Sequence, residues 1–466
     1  MKRITLVRPS YSTIYSVYGE LPKNREIRPP LALLYIAAAL EKDGHLVQVI
    51  DGEPDLMSVE QTFDSIIRSE PDIVGFTSTT PEFHIVELLT KKIKQYDSSI
   101  RVMVGGAHVS ACPEETVTNC PEIDYIVCGE GEKAAQYIIN NLPAEKIISM
   151  PTYENIDEIP LPSRHLVNYT KYKYPMPGKG IMPMDVILSS RGCPFLCTFC
   201  CNRSTKPIFR NPIKVVDEIE MSYNNYHSKY IMFFDDTFTL KKKHAHDICD
   251  EIIKRGLNEK IVFYANTRAN TTDYELLKKM KKAGISEIST GVETGNPEIL
   301  KAIKKGTTHD QYRKVYRWMR ELGIQTRASF IVGFPNETHA TVRDTINFAK
   351  EIDLVRASCN ILTPYPGTKI YEQAVQGDGL HLLCNTWKEF KRWGTAVVRT
   401  DELTKENLEY YQKRFLTEFY TQPKVLSYHI IQLLTGNFSI YYYRPVIFAI
   451  KNRIRDWISR QDSNDY

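Results

Sequence analysis

Three cysteines stand in the run Arg191-Gly-Cys-Pro-Phe-Leu-Cys-Thr-Phe-Cys200, spaced Cys-x3-Cys-x2-Cys at Cys193, Cys197 and Cys200. They supply one thiolate fewer than the four that fully ligate an iron–sulfur cluster. A cluster held this way keeps one iron open to a molecule that reacts. The competing reading is a zinc knuckle. Zinc sites usually close with a fourth Cys or a His at nearby spacing, and the next histidine, His227, is distant. Cys201 follows at once, and its thiol cannot point the same way as that of Cys200, so it reads as a bystander. Phe199, just before the third cysteine, is placed to pack against a cluster and shield it.

Such a loop needs a scaffold, and the chain shows two. Over residues 1–142, short apolar strands (Arg3–Val7, Leu46–Asp51, Ile73–Thr77, Val102–Gly105, Tyr125–Cys128) alternate with amphipathic stretches such as Leu31–Lys42. That rhythm predicts an open, parallel, doubly wound Rossmann-like sheet, with ligands beyond the carboxyl ends of the strands. Those ends carry Thr77-Ser-Thr-Thr80, Gly105-Gly-Ala-His108 and Gly129-Glu-Gly-Glu132. Small residues there let a large ligand reach backbone amides and hydroxyls.

Residues 143–184 contain Pro160-Leu-Pro-Ser-Arg and read as a linker. From Val186 a second alternating series begins. Its strands are Val186–Ser189, Tyr230–Phe234, Ile261–Ala265, Glu287–Gly291, Ala328–Val332 and Ala357–Leu362, with helical patterns such as Pro212–Tyr226, Tyr274–Ala283 and Gln311–Leu322 between them. Six strand–helix units over 185–384 predict a partial (β/α)6 barrel with functional groups at the carboxyl ends of its strands. The cysteine loop follows the first of them. Residues 385–466 read as a helical C-terminal region.

The chain has 466 residues, a formal net charge of +4 and 42% hydrophobic residues. Length and composition fit a multidomain globular protein, and the charge is too small to point to nucleic acid. No run of ~18 apolar residues suggests a membrane span. Ten cysteines, with an opening Met-Lys-Arg-Ile-Thr-Leu-Val-Arg-Pro too short in apolar length for a signal peptide, point to a reducing, cytoplasmic setting. The aromatic and basic tail Tyr441-Tyr-Tyr-Arg-Pro and Phe448–Arg460 reads as packing that closes the barrel. The alternative is peripheral contact with a membrane surface or a lipid-like substrate.

The ensemble resembles the cobalamin-binding radical S-adenosylmethionine (SAM) enzymes over roughly residues 1–375. In the first half the resemblance rests on Arg28-Pro-Pro-Leu-Ala-Leu-Leu-Tyr with Gly44-His and Asp51, on Val104-Gly-Gly-Ala-His-Val-Ser and on Cys128-Gly-Glu-Gly-Glu. In the second half it rests on the cysteine motif, Phe233-Phe-Asp-Asp-Thr-Phe, Ala265-Asn-Thr-Arg268, Thr290-Gly-Val-Glu-Thr-Gly295, Phe330-Ile-Val-Gly-Phe-Pro335 and Thr363-Pro-Tyr-Pro-Gly-Thr368. One departure stands out: the Asp-x-His-x-x-Gly motif, whose His binds cobalt from below in the cobalamin mutases and methionine synthase, is missing from the first half. Most cobalamin-dependent radical SAM enzymes lack it as well.

The resemblance implies three cofactors: a [4Fe-4S] cluster on Cys193, Cys197 and Cys200, SAM, and cobalamin. It implies SAM contacts from Asp235 or Asp236, Arg268, Glu293 and the backbone at Gly333. Each has a plainer alternative: a turn cap, a salt bridge or a turn glycine. For cobalamin it implies Thr77, Ser78, Gly105, Gly106, Gly129, Glu130 and Gly131, with His108 either touching the nucleotide tail or packing. Cys112, Cys120 and Cys128, at eight-residue spacing, raise the alternative of an extra cluster, as in the methylthiotransferases. The implied activity is cleavage of SAM to a 5′-deoxyadenosyl radical and methylation of an unactivated carbon of a small molecule, a class that includes natural-product intermediates and lipid-like compounds. Flavodoxin or ferredoxin is the implied electron donor. Oxidative cyclisation or ring rearrangement with the same cofactors is the alternative, followed by methylthiotransfer or a non-catalytic sensor.

Overall fold

The structure, a computed structural model, describes residues 1–11, 25–176, 179–201, 205–391, 393–435 and 440–462. Residues 392, 436–439 and 463–466 of the expected C-terminal region therefore lie outside the described ones.

The first sheet is built from β1 (Arg3–Arg8), β2 (Leu46–Asp51), β3 (Ile73–Thr77), β4 (Arg101–Gly105), β5 (Tyr125–Cys128) and β6 (Ile147–Ser149). Its order is β2-β1-β3-β4-β5-β6, and every neighbouring pair is parallel. The strand order reverses between β1 and β3. Such a switch point opens a crevice at the carboxyl ends of the strands. The helix Leu31–Lys42 is apolar on more than one side because two bodies cover it. Leu33, Leu34, Ala37 and Leu40 pack on the first sheet, whereas Leu31 and Tyr35 join a cluster with Met184, Tyr230 and Tyr264 of the second. The two halves thus share a core.

Residues 143–184, expected as a linker, contribute strands to both sheets. The first is β6; the second is β7 (Lys173–Met176), antiparallel to β8 (Gly180–Ile187). Between them a buried ion network clamps the segment to the barrel. Arg164 Nε donates to Asp185 at 2.7 Å and Arg164 Nη2 to Glu218 at 2.6 Å. The Tyr169 hydroxyl donates to Asp185 at 2.9 Å, and Arg210 also pairs with Glu218. Local sequence shows only Pro-rich punctuation here, so these distant partners were invisible to it.

A short antiparallel pair, β9 (Ser190–Arg191) and β10 (Ile208–Phe209), brackets the cysteine loop. The remaining barrel strands are β11 (Tyr230–Phe233), β12 (Val262–Thr267), β13 (Ile285–Glu293), β14 (Gln325–Val332) and β15 (Arg356–Ile361). The sheet order β15-β14-β13-β12-β11-β8-β7 is a half-barrel of six parallel strands with one antiparallel edge. Helices cover its outer face over a large apolar core that includes Phe233, Phe263, Ile288 and Phe330. The expected helical C-terminal region, 385–466, is not wholly helical: β17 (Val398–Thr400) within it pairs antiparallel with β16 (Leu380–Leu382) just before it. Helices Lys405–Tyr420, Pro423–Thr435 and Ile440–Asp462 follow, and the first lies along β15.

Candidate active site

The cysteine loop is pinned at its two legs. Cys193 N–H donates to Thr205 Oγ1 at 2.7 Å, and Thr205 N–H returns to the Cys193 carbonyl at 2.9 Å. Its middle is tied to the barrel by Thr198 N–H on the Ile303 carbonyl and by Ile370 N–H on the Thr198 carbonyl. Cys197 is buried, while Cys193 and Cys200 are half-buried. Burial pushes the Cys193 thiol pKa up. Among the described residues no three His, Cys, Asp or Glu side chains converge as a metal-holding group. The three thiols share one short loop. Chemically the donor set fits a cluster that leaves one iron open.

Around Cys197 the structure assembles residues from distant strand ends. Arg268 Nη1 lies 3.6 Å from Cys197 Sγ, and the guanidinium sits 3.6 Å from the centre of the Phe195 ring. Arg268 also donates to the Lys305 carbonyl. Lys305 Nζ pairs with Glu293 at 2.6 Å, and both side chains are nearly excluded from solvent. Burial acts to lower the Lys305 pKa, but the Glu293 carboxylate leaves it raised. The β13–β14 register shifts between Gly291 and Glu293, and Glu293 takes φ +71°. A Cβ on Gly291 would fall 2.0 Å from Glu293 Oε1 and 2.7 Å from Lys305 Nζ, so a larger residue there would push this ion pair out of its present position. Phe199 packs on Phe334, centroids 5.8 Å apart, under Lys305. Gly333 donates its N–H to Glu337, a wholly buried carboxyl whose Oε1 has no hydrogen-bond partner among the described residues. Burial pushes Glu337 up to about 8, against the backbone donors Gly333 and Phe334.

The adjacent acids Asp235 and Asp236 part company. Asp235 is buried and accepts from Ser189 Oγ at 2.8 Å and from Ser190 Oγ, which ties the ends of β8 and β11 together. Burial raises it to about 6. Asp236 is exposed and lines the main cavity. The Asp235 carboxylate is thus engaged in joining two strand ends, while that of Asp236 faces the cavity.

That cavity has a volume of about 1790 Å³ and runs between the two sheets. Small-molecule pockets hold roughly 300–1,000 Å³, so the space admits a corrin-sized group with a substrate. From the first sheet, Thr77, Ser78, Gly106, Gly129, Glu130 and Gly131 line it; Gly105 and His108 do not. Gly106 has φ +106°, and a Cβ there would come within 2.4 Å of the Ser78 carbonyl. Among the described residues Ser78 Oγ is buried without a partner. A glycine cradle beside an orphaned hydroxyl fits a large, amide-rich ligand such as cobalamin. His108 is corrected to a packing residue. It is 1% exposed and wedged between Phe83 (4.4 Å) and Trp387 (5.6 Å), and burial lowers it to about 4. Cys112, Cys120 and Cys128 form no metal-holding group among the described residues.

Arg191, which opens the cysteine motif, is a residue that sequence reasoning missed. It reaches across to the first sheet, pairing with Glu132 at 2.6 Å and Glu130 at 3.4 Å, over the Tyr35 ring. Glu130 is therefore engaged by a cation as well as lining the cavity. Lys305 was missed too, since nothing local in Lys304-Lys305-Gly306 distinguishes the lysine that will meet Glu293. Cys201, read as a bystander, lines the cavity.

A Rossmann-like sheet whose ligand crevice faces a half-barrel bearing a Cys-x3-Cys-x2-Cys loop defines the cobalamin-dependent radical SAM class. Comparison agrees: the B12 binding domain family model matches residues 25–139 and the Radical SAM superfamily model residues 187–349. The chain is 33% identical over 453 residues to the uncharacterized methyltransferase PH0819 of Pyrococcus horikoshii, covering 93% of this chain and 95% of that one. It is 30% identical over 397 residues to the anaerobic magnesium-protoporphyrin IX monomethyl ester cyclase of Cereibacter sphaeroides, 80% of this chain and 63% of that one. In fold it matches the radical SAM methyltransferase TsrM of Kitasatospora setae, with TM-score 0.68, 19% identity, and 98% of this chain and 100% of that one covered. This protein belongs to the cobalamin-binding radical SAM enzymes. Its cofactors are a [4Fe-4S] cluster, SAM and cobalamin.

Proposed function

We propose that this enzyme methylates an unactivated carbon of a small molecule. The observation that supports this most is the shared cavity, onto which the glycine-lined crevice of one sheet and the strand ends of the other both open. When bound, the cluster and SAM supply a 5′-deoxyadenosyl radical and cobalamin supplies a methyl group. The chain's task is placement, because holding both reagents around one carbon replaces an improbable encounter. In this reading Cys193, Cys197 and Cys200 hold the cluster. Arg268, beside Cys197, and Asp236 present a cation and an anion to the carboxylate and amine of SAM. The Glu293–Lys305 pair and Phe199 shape that site. Thr77, Ser78, Gly106, Gly129 and Gly131 carry the corrin and its tail, and Arg191 locks the two halves in register.

The test is anaerobic reconstitution with iron and cobalamin analysis, followed by mass spectrometry of candidate substrates. A gain of one CH2 with 5′-deoxyadenosine formation is expected; an enzyme that retains no cobalamin sinks the proposal. The likeness to the monomethyl ester cyclase supports a second reading, oxidative cyclisation, in which product forms without CH2 gain. Radical formation needs an external electron, which supports a flavodoxin or ferredoxin partner. Ile430, Ile431, Leu434, Ile450 and Ile454 are exposed on the C-terminal helices beside Lys451, Arg453 and Arg455, which supports contact with a lipid surface. No helix among the described residues is long and apolar enough to cross a membrane.

A further inference from the structure

The cysteine loop carries a contact that ligation of a cluster does not by itself require. Arg268 stands just past β12, and its carbonyl accepts from Thr271 N–H and Thr271 Oγ1, both at 3.1 Å, and from Thr272 Oγ1 at 2.7 Å. Its backbone is therefore held, and so is its side chain. The guanidinium lies 3.6 Å from the centre of the Phe195 ring, and Phe195 stands between Cys193 and Cys197. Nε donates to Asn270 Oδ1 at 3.4 Å, and Nη2 donates to the Lys305 carbonyl. Asn270 is anchored in turn, its Nδ2 donating to the Gly306 carbonyl at 3.0 Å. These restraints leave Nη1 3.6 Å from Cys197 Sγ.

None of the three partners of this guanidinium is a carboxylate, and Arg268 is only 7% exposed. A buried cation is costly unless an anion joins it. The nearby carboxylate of Glu293 is taken by Lys305 at 2.6 Å. Cys197, as the thiolate that binds metal, is an anion within reach. It is buried too, and hydrogen bonds are electrostatically stronger in such surroundings than in water. Hydrogen bonds to the sulfurs are among the factors that set the reduction potential of an iron–sulfur cluster. A reduced cluster carries one more negative charge than an oxidised one. A cationic donor fixed on one of its sulfurs therefore stabilises the reduced form more.

We propose that Arg268 acts through Cys197 as a positioning residue that raises the reduction potential of the cluster, which brings it within range of a flavodoxin- or ferredoxin-type one-electron donor. Reduction adds one electron to the cluster and moves no proton and no bond in Arg268. Phe195 serves as the platform that keeps the guanidinium against the sulfur. This role is additional to a SAM contact, because Nη1 and Nη2 each carry a second N–H. The inference rests on the proposed function in taking Cys193, Cys197 and Cys200 as the cluster ligands.

The experiment is a redox titration of the anaerobically reconstituted enzyme without SAM, read by electron paramagnetic resonance of the reduced cluster. With SAM left out, a role in binding SAM alone cannot move the midpoint. Arg268→Gln should be about tenfold harder to reduce, the effect of one charge-assisted hydrogen bond, which is a midpoint lower by ~59 mV. Arg268→Lys keeps the charge but loses the planar fork, and Phe195→Leu keeps the fork but loses its platform; both midpoints should fall between. Lys305, Glu293 and Asp236, which also act on this region, are common to every variant and drop out of the comparison. One arm needs no variant. In wild-type enzyme labelled with heavy-nitrogen arginine, electron–nuclear double resonance of the reduced cluster should show coupling to the label. Arg191, the other arginine of the loop, is drawn away to Glu130 and Glu132. Absence of that coupling, or midpoints unchanged in the variants that load a cluster, overturns the proposal. If wild-type enzyme holds no cluster, the ligand assignment itself falls. A cluster that loads normally but keeps its midpoint in Arg268→Gln sinks the role of Arg268 alone.

Discussion

Gly106→Ala tests the cradle assigned to cobalamin. Gly106 has φ +106° and ψ −178°, a region that side-chain-bearing residues essentially avoid. Holding alanine there costs on the order of 1–3 kcal/mol. Its Cβ would also lie 2.4 Å from the Ser78 carbonyl oxygen and 2.8 Å from the Ser78 nitrogen. Backbone cannot swing aside as a side chain can, and overpacking of this kind costs about another 1–3 kcal/mol. The sum is about 2–6 kcal/mol, a large share of the roughly 5–15 kcal/mol that stabilises a typical domain. Gly129→Ala is the matched comparison. Its φ is +86°, but the Cβ would meet nothing within 4 Å, so only backbone strain of about 1–2 kcal/mol applies. Urea unfolding of both variants, with absorbance of retained cobalamin after gel filtration, makes the comparison. Gly106→Ala should unfold at clearly lower urea and lose cobalamin, because Ser78 must move. If Gly106→Ala is no less stable than Gly129→Ala and binds cobalamin equally well, the cradle argument is wrong.

Arg164→Met should cost about 3–5 kcal/mol in chemical denaturation, because it strands the buried carboxylates Asp185 and Glu218; a loss below ~1 kcal/mol would show that Arg210 and Tyr169 suffice. Glu337 has a folded pKa near 8, above its unfolded value, so it binds protons more strongly folded than unfolded and its stabilisation is lost as pH rises from about 4.5 through 8. Glu337→Gln should accordingly flatten the decline of Tm across that window, and an unchanged slope would assign the decline to other groups. Alanine at Cys193, Cys197 or Cys200 should abolish iron retention and 5′-deoxyadenosine formation after anaerobic reconstitution. Cys201→Ala should retain iron, and loss of iron there would rewrite the ligand set. Glu132→Gln should weaken the Arg191 bridge between the two halves, seen as faster limited proteolysis between them.

Much of this architecture is legible in one dimension. Strand Leu46–Asp51 and helices Leu31–Lys42 and Pro212–Tyr226 coincide with their expected bounds, because apolar periodicity, Gly breaks and the N-cap Asn211 act within a few residues. Short, irregular elements were not legible. Strand β6 and the β16–β17 hairpin are three residues per strand, held by partners rather than by propensity. Of two adjacent aspartates, nothing local says which one two serines from another strand will occupy.

By itself the sequence determined the chemistry available: three cysteines at a spacing that leaves an iron open, carried at the end of a barrel strand behind a glycine-marked Rossmann-like sheet. Covalent spacing and local periodicity are properties of the chain, so they survive in a string of letters. Tertiary structure alone decided where that chemistry is aimed. It placed His108 in packing and Asp236 in the cavity, set Lys305 against Glu293, stretched Arg191 between the two halves, and brought Arg268 to Cys197. Each of these outcomes depends on burial and on charges brought together across many residues, and those energies exist only once the chain has folded.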